Sequence, residues 1–228
     1  MTRLFGKQPS EWRFRQLTLV MAAWMLLTPY VTDRWLIQLL VHLFLLNCVL
    51  VTLRVNPEWG GMRRAMVVLW LASLVASLAA LVPGSSDWQR VTRIVDSLTF
   101  IPLLAVLAAG ILRFVFRAQK LTIDGVFATI VAYMLMAVLF AQLYVIVAEV
   151  DPQSFNITAA ATARPTHLVQ NDLLYFSFVT LATLGYGDVL PLAPVARTLA
   201  TLEAVVGQFY VAVIVAVFVG MYASQRNE

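Results

Sequence analysis

Tyr175-Phe-Ser-Phe-Val-Thr-Leu-Ala-Thr-Leu-Gly-Tyr-Gly-Asp188 is the stretch on which the fold turns. It ends an apolar run, Leu173–Leu184, of about a dozen residues, too short to cross a bilayer and of re-entrant length. Full-length apolar runs lie on both sides, at Val126–Ala148 and Leu199–Tyr222. Four more precede them, at Leu17–Val31, Trp35–Leu53, Ala65–Pro83 and Ile94–Phe116. The first is short and carries Pro29 near its end; without a small-residue cleavage site after it, it reads as a span and not as a signal peptide.

The whole chain agrees with that outline. Of 228 residues, 61% are hydrophobic and 12% charged, and mean hydropathy is +0.83. Soluble domains are nearer half apolar and a quarter charged, which excludes a water-soluble enzyme. The net charge of +4 therefore marks membrane orientation and not a nucleic-acid partner. Arg3, Lys7, Arg13, Arg15, Arg54, Arg63, Arg64, Arg113, Arg117, Lys120 and Arg226 fall on one side of six spans. Arg34, Arg90, Arg93, Arg164 and Arg197 fall on the other. Eleven against five places both termini in the cytoplasm. Trp12, Trp35, Trp59 and Trp88 lie near span ends, where an aromatic belt belongs.

Other features are bland. Cys48, the one cysteine, sits in an apolar run and reads as a small core hydrophobe. His42 reads as a satisfied core residue, and Asn156-Ile157-Thr158 as a chance glycosylation triplet. No metal cluster, nucleophile–base pair or phosphate loop stands out, so no enzyme and no cofactor is expected.

Thr183-Leu184-Gly185-Tyr186-Gly187-Asp188 resembles the selectivity-filter signature of potassium channels. The order of spans resembles the six-transmembrane, one-pore superfamily of voltage-gated-like channels, in a bacterial form. The resemblance implies an all-α membrane protein with six transmembrane helices, a re-entrant pore helix and a filter loop. It implies a homotetramer around one pore, with K+ bound in the filter and membrane lipid around it. Residues 1–116 would form a voltage-sensor-like domain, 117–125 a cytoplasmic linker and 126–228 the pore domain.

That resemblance assigns roles. Backbone carbonyls at Thr183, Leu184, Gly185, Tyr186 and Gly187 would replace the ion's water shell. Successive carbonyls share one axis only if the backbone alternates in hand, which Gly185 and Gly187 permit. Leu184 stands where Val is commoner. The helix Asn171–Ala182 would point its negative end at the cavity, with Asn171 or Asp172 capping its start. Tyr175 would support the filter by bonding Asp188, or would simply pack. Val179 is apolar where some relatives carry an acid. Gly207, 19 residues after Asp188, is a hinge or a packing glycine. Val211, Val215 and Val219 form a stripe that would gate by dewetting if it faces the pore. Glu203, the one acid of the last span, should pair with a polar group behind the filter.

A voltage sensor needs arginines at every third position. Here Arg90 and Arg93 are followed by Asp96, Thr99 and Pro102, so the pair reads as a solvated helix end and the sensor as degenerate. The sequence stops six residues after Tyr222, so no cytosolic regulatory domain is expected. The function expected is passive, potassium-selective conduction across a bacterial inner membrane, not strongly voltage-gated. The alternatives are a weakly selective cation channel and a non-conducting assembly subunit.

Overall fold

A computed structural model describes residues 13–27, 34–118, 120–157 and 166–226. Seven helices carry most of it. They are α1 (Arg13–Leu27), α2 (Arg34–Val55), α3 (Gly60–Leu81), α4 (Ser86–Arg117), α5 (Ile123–Val150), α6 (Thr166–Leu181) and α7 (Pro194–Arg226). Five of these, α2, α3, α4, α5 and α7, are long and apolar enough to cross a membrane. The described part of α1 has 15 residues, short of a span. Pro29, Arg3, Lys7, Trp12 and Arg164 lie outside the described residues.

Local chemistry sets the helix starts. Ser85 Oγ accepts from the Trp88 amide and Thr122 Oγ1 from the Gly125 amide, each satisfying an orphan donor in a first turn. Pro194 opens α7, at the position where a missing N–H costs nothing. Pro102 lies inside α4, which continues through it.

The expected all-α architecture omits one element. Phe155–Ile157 (β1) and Val189–Pro191 (β2) pair antiparallel, Asn156 opposite Leu190. The Ser154 carbonyl accepts from the amides of Leu192 and Ala193 and extends the pairing. Each strand has three residues, too few for alternation to register in the sequence.

Contacts gather into two units. The first holds Met1–Val67, Val106–Leu135 and Tyr210–Glu228. Within it, α1 packs on α2. The Phe14 amide donates to Asp124 Oδ1 at 3.0 Å, and the Phe14 ring stacks on Phe114 at 5.2 Å. Buried Asn56 donates from Nδ2 to the carbonyls of Thr52 and Gly110, both at 3.1 Å, tying the end of α2 to α4. Glu58 pairs with Arg117 and Arg113, and Arg113 also lies over the Trp59 ring. Backbone hydrogen bonding and then those arginines hold the Glu58 carboxyl below its usual range. His42 Nδ1 bonds the Gln38 carbonyl at 2.9 Å, and Cys48 is fully buried, so both are core residues.

The second unit holds Val68–Ala105 and Met136–Phe209. Its core is built from Tyr144, Val145, Leu173, Phe176 and Val189. Tyr144, Phe155 and Phe176 meet edge to face, with centroids 5.1 to 5.7 Å apart. Such pairs add roughly 1 kcal/mol each beyond area burial. Two polar side chains of α4 bond its neighbours: Asp96 accepts from Ser77, and Ser97 donates to Gln142.

Arg93 departs from its reading as a solvated end. Its Nε and Nη2 hold Glu149 at 2.5 and 3.0 Å, with the two side chains 17% and 14% exposed. Glu149 lies at the far end of α5, beyond the reach of any local sequence pattern. Arg90 is exposed and donates to the Val150 carbonyl.

Candidate ion-conducting site

Everything at the site follows from how α6 stops. Helical bonding continues through the Ala182 amide, then the Thr183 amide donates to Thr180 and the Leu184 amide to Val179, both at 2.9 Å. These bonds close the helix and release the chain at Thr183. From there φ is positive at Thr183 (57°), Gly185 (61°) and Gly187 (77°), and not at Leu184 or Tyr186. The backbone therefore alternates in hand over five residues. Glycine takes that conformation freely, whereas for Thr183 it costs on the order of 1–2 kcal/mol. The strained Thr183 is a feature that sequence alone did not indicate.

Among the described residues, none donates a hydrogen bond to the carbonyls of Thr183 through Gly187. Residues Ala182 through Asp188 are all exposed in the single chain. A run of backbone acceptors left open in this way must be satisfied from outside the chain. Oxygens so arranged suit a cation stripped of its water. Leu184 and Tyr186 side chains are 56% and 65% exposed.

The far end of the run is anchored. Tyr175 donates from its hydroxyl to Asp188 Oδ2 at 2.8 Å, and its ring stacks on Tyr186. Of the two roles open to Tyr175, the structure has the hydrogen bond. Asp188 Oδ1 accepts from the Val189 amide, where β2 begins. Asn171 and Asp172 do not cap α6: the helix begins at Thr166, with no Gly or Pro between to stop it, and both lie inside it.

Behind the run stands α7. Gly207 is buried against α6, where an added Cβ would lie 2.5 Å from the Leu181 carbonyl oxygen. Its absent side chain is thus needed for close approach. One turn earlier Glu203, fully buried, meets the Tyr144 hydroxyl at 2.5 Å and the Ser177 hydroxyl. Those two hydroxyls are the polar partners the sequence could not name. Glu203 and Gly207 on α7 therefore face Ser177 and Leu181 on α6, four residues apart on each helix.

Gln208 was not singled out in the sequence, although it is the polar residue next to Gly207. Its Nε2 reaches Thr183 Oγ1 at 3.3 Å. Val211, Val215 and Val219 follow Gln208 at i+3, i+7 and i+11, on one face of an unbroken helix. All three are exposed, while Val217 is part-buried.

Residues 157–224 match the ion channel family. Protein LctB of Bacillus caldotenax is 33% identical over 97 residues, covering 42% of this chain and 72% of that protein. The LctB of Geobacillus stearothermophilus is 32% identical over the same shares. The inward rectifier potassium channel Kirbac3.1 of Paramagnetospirillum magnetotacticum is 37% identical over 90 residues, covering 39% of this chain and 27% of that channel. No solved structure matches. With five helices long and apolar enough to cross a membrane, a segment at residues 157–224 that matches the ion channel family and a relative covered over 72% of its length, the chain is a multi-pass membrane protein that belongs to the ion channel family.

Proposed function

We propose that the chain is one wall of a potassium-selective channel. Four copies surround a pore, and the carbonyls of Thr183, Leu184, Gly185, Tyr186 and Gly187 hold K+ as it passes down its gradient. The observation that carries this is the alternation of hand from Thr183 to Gly187, with no described residue donating to any carbonyl of the run. The potassium channel among the relatives supports the choice of ion. Tetrameric closure is what a single exposed wall requires, because one chain supplies too few oxygens to replace a hydration shell.

In this reading α1 completes a sixth span and both termini are cytoplasmic, as the basic residues direct. Residues 1–116 flank the pore domain 126–228 through the linker 117–125, in the inner membrane of a bacterium, surrounded by lipid. Arg93 is held by Glu149 and does not move in the field, so voltage does not drive opening strongly. Gln208 marks the pore side of α7, which puts Val211, Val215 and Val219 along the inner cavity as a hydrophobic gate.

Potassium flux into liposomes holding the purified chain tests the proposal. Gly185→Ala or Gly187→Ala should abolish selective flux, since each Cβ strains the left-handed conformation the run requires. Wild-type flux and selectivity in both variants would overturn the filter assignment.

A further inference from the structure

Glu203 presents a proton count that its neighbours cannot meet unaided. Three oxygen–oxygen contacts converge there: Tyr144 Oη with Glu203 Oε2, Ser177 Oγ with Glu203 Oε1, and Ser177 Oγ with the Ala137 carbonyl at 2.6 Å. Each needs one proton between its oxygens. Tyr144 and Ser177 supply one apiece, and a backbone carbonyl supplies none. The third must come from Glu203. Tyr144, Ser177 and Glu203 are all fully buried, and among the described residues no lysine, arginine or histidine bonds this carboxyl. An ionised carboxylate would thus stand in an apolar interior with two hydroxyls and no counter-charge, a costly arrangement.

We propose that Glu203 is carried as the neutral carboxylic acid and acts as a positioning residue for the carbonyl run. Its Oε1–H donates to Ser177 Oγ, Ser177 donates to the Ala137 carbonyl, and Tyr144 donates to Oε2. The chain of bonds joins α5, α6 and α7 at a single point. Ser177 lies six residues before Thr183, and Gly207 lies one turn beyond Glu203 against the end of α6. Height and tilt of α6, and with them the start of the carbonyl run, are therefore set through this acid. The titratable group facing Glu203 from α5 is Tyr144; among the described residues α6 offers it only Ser177, which does not titrate. Removing the proton breaks one of the three contacts and leaves a charge, so alkaline conditions loosen α6.

The protonation state stands apart from conduction, while the positioning role rests on the proposed potassium selectivity. Infrared difference spectra of the purified full chain in lipid at neutral pH address the first. Wild type minus Glu203→Gln should show a carboxylic-acid C=O band, and Tyr144→Phe should move that band to higher frequency by removing a donor to Oε2. A difference spectrum containing only carboxylate bands would overturn the proposal. For the second, Glu203→Gln reproduces the bonds, its amide N–H donating to Ser177 and its oxygen accepting from Tyr144. It should keep the K+ over Na+ preference at alkaline pH, where wild type declines. Glu203→Leu should lower that preference at least several-fold at neutral pH. Wild-type selectivity in Glu203→Leu would overturn the positioning role even where the infrared band is present. Absence of K+ preference in wild type would instead overturn the conduction reading and leave the band unaffected.

Discussion

Replacing Gly207 by alanine separates a hinge from a packing contact by the sign of its effect. Alanine is the better helix former by about 1 kcal/mol, so a glycine present only for flexibility yields a more stable protein when replaced. In this structure the new methyl group would lie 2.5 Å from the Leu181 carbonyl oxygen and 3.0 Å from its Cδ1. The nearest of these is main chain, which cannot rotate aside. Restoring an ordinary contact of about 3.5 Å moves α7 and α6 apart by roughly 1 Å. Overpacking of this kind costs about 1–3 kcal/mol, leaving a net loss of up to ~2 kcal/mol per chain after the helix gain. The displacement falls two residues before Thr183, so potassium preference should drop with stability. Gly220→Ala, on the same helix with nothing within 4 Å of the added atom, is the internal control and should be neutral or stabilising. Thermal unfolding in detergent, followed with liposome flux, reads both quantities. A Gly207→Ala protein as stable as Gly220→Ala, with selectivity intact, would refute the packing argument.

Neutralising Arg90 and Arg93 together should leave the slope of open probability against voltage nearly unchanged, and steep activation lost in the double variant would contradict this. For the Arg93–Glu149 pair, a double-mutant cycle to glutamine should return a coupling of about 1–2 kcal/mol in thermal stability, and additive effects would show the pair idle. Val219→Ser should raise basal current without changing selectivity, while Val217→Ser, on the packed side of α7, should not; equal currents from both would remove the stripe from the pore. Tyr175→Phe deletes the bond to Asp188 and should destabilise the conducting state, seen as faster loss of current in sustained recordings; unaltered time courses would leave the ring with packing alone.

The spans were legible because apolar length is a local property: five of the six runs reappear as helices of spanning length, although α4 begins at Ser86 and not at Ile94, because its polar first turns carry no apolar signal. The glycines of the run were legible for a similar reason, since Gly185 and Gly187 alternate with side chains that need the opposite hand. What the sequence concealed depends on pairs far apart in it. Glu149 lies 56 residues from Arg93, and Tyr144 lies 59 from Glu203. No periodicity joins such partners, so Arg93 read as a solvated end and Glu203 as an acid of unknown company. The strand pair was hidden because β1 lies in a polar stretch and its partner follows directly on Asp188. Thr183 carries positive φ at the point where α6 closes, against its own preference, and no local sequence signal marks it.

The central claim is that open carbonyls from Thr183 to Gly187 select potassium. Its most direct test is the reversal potential of the purified chain in a planar bilayer, with potassium on one side and sodium on the other. A tenfold preference displaces that potential by about 59 mV toward potassium equilibrium, and larger preferences displace it further. The account predicts a displacement of that size or greater. A reversal potential near zero, with current flowing equally in both ions, would contradict it.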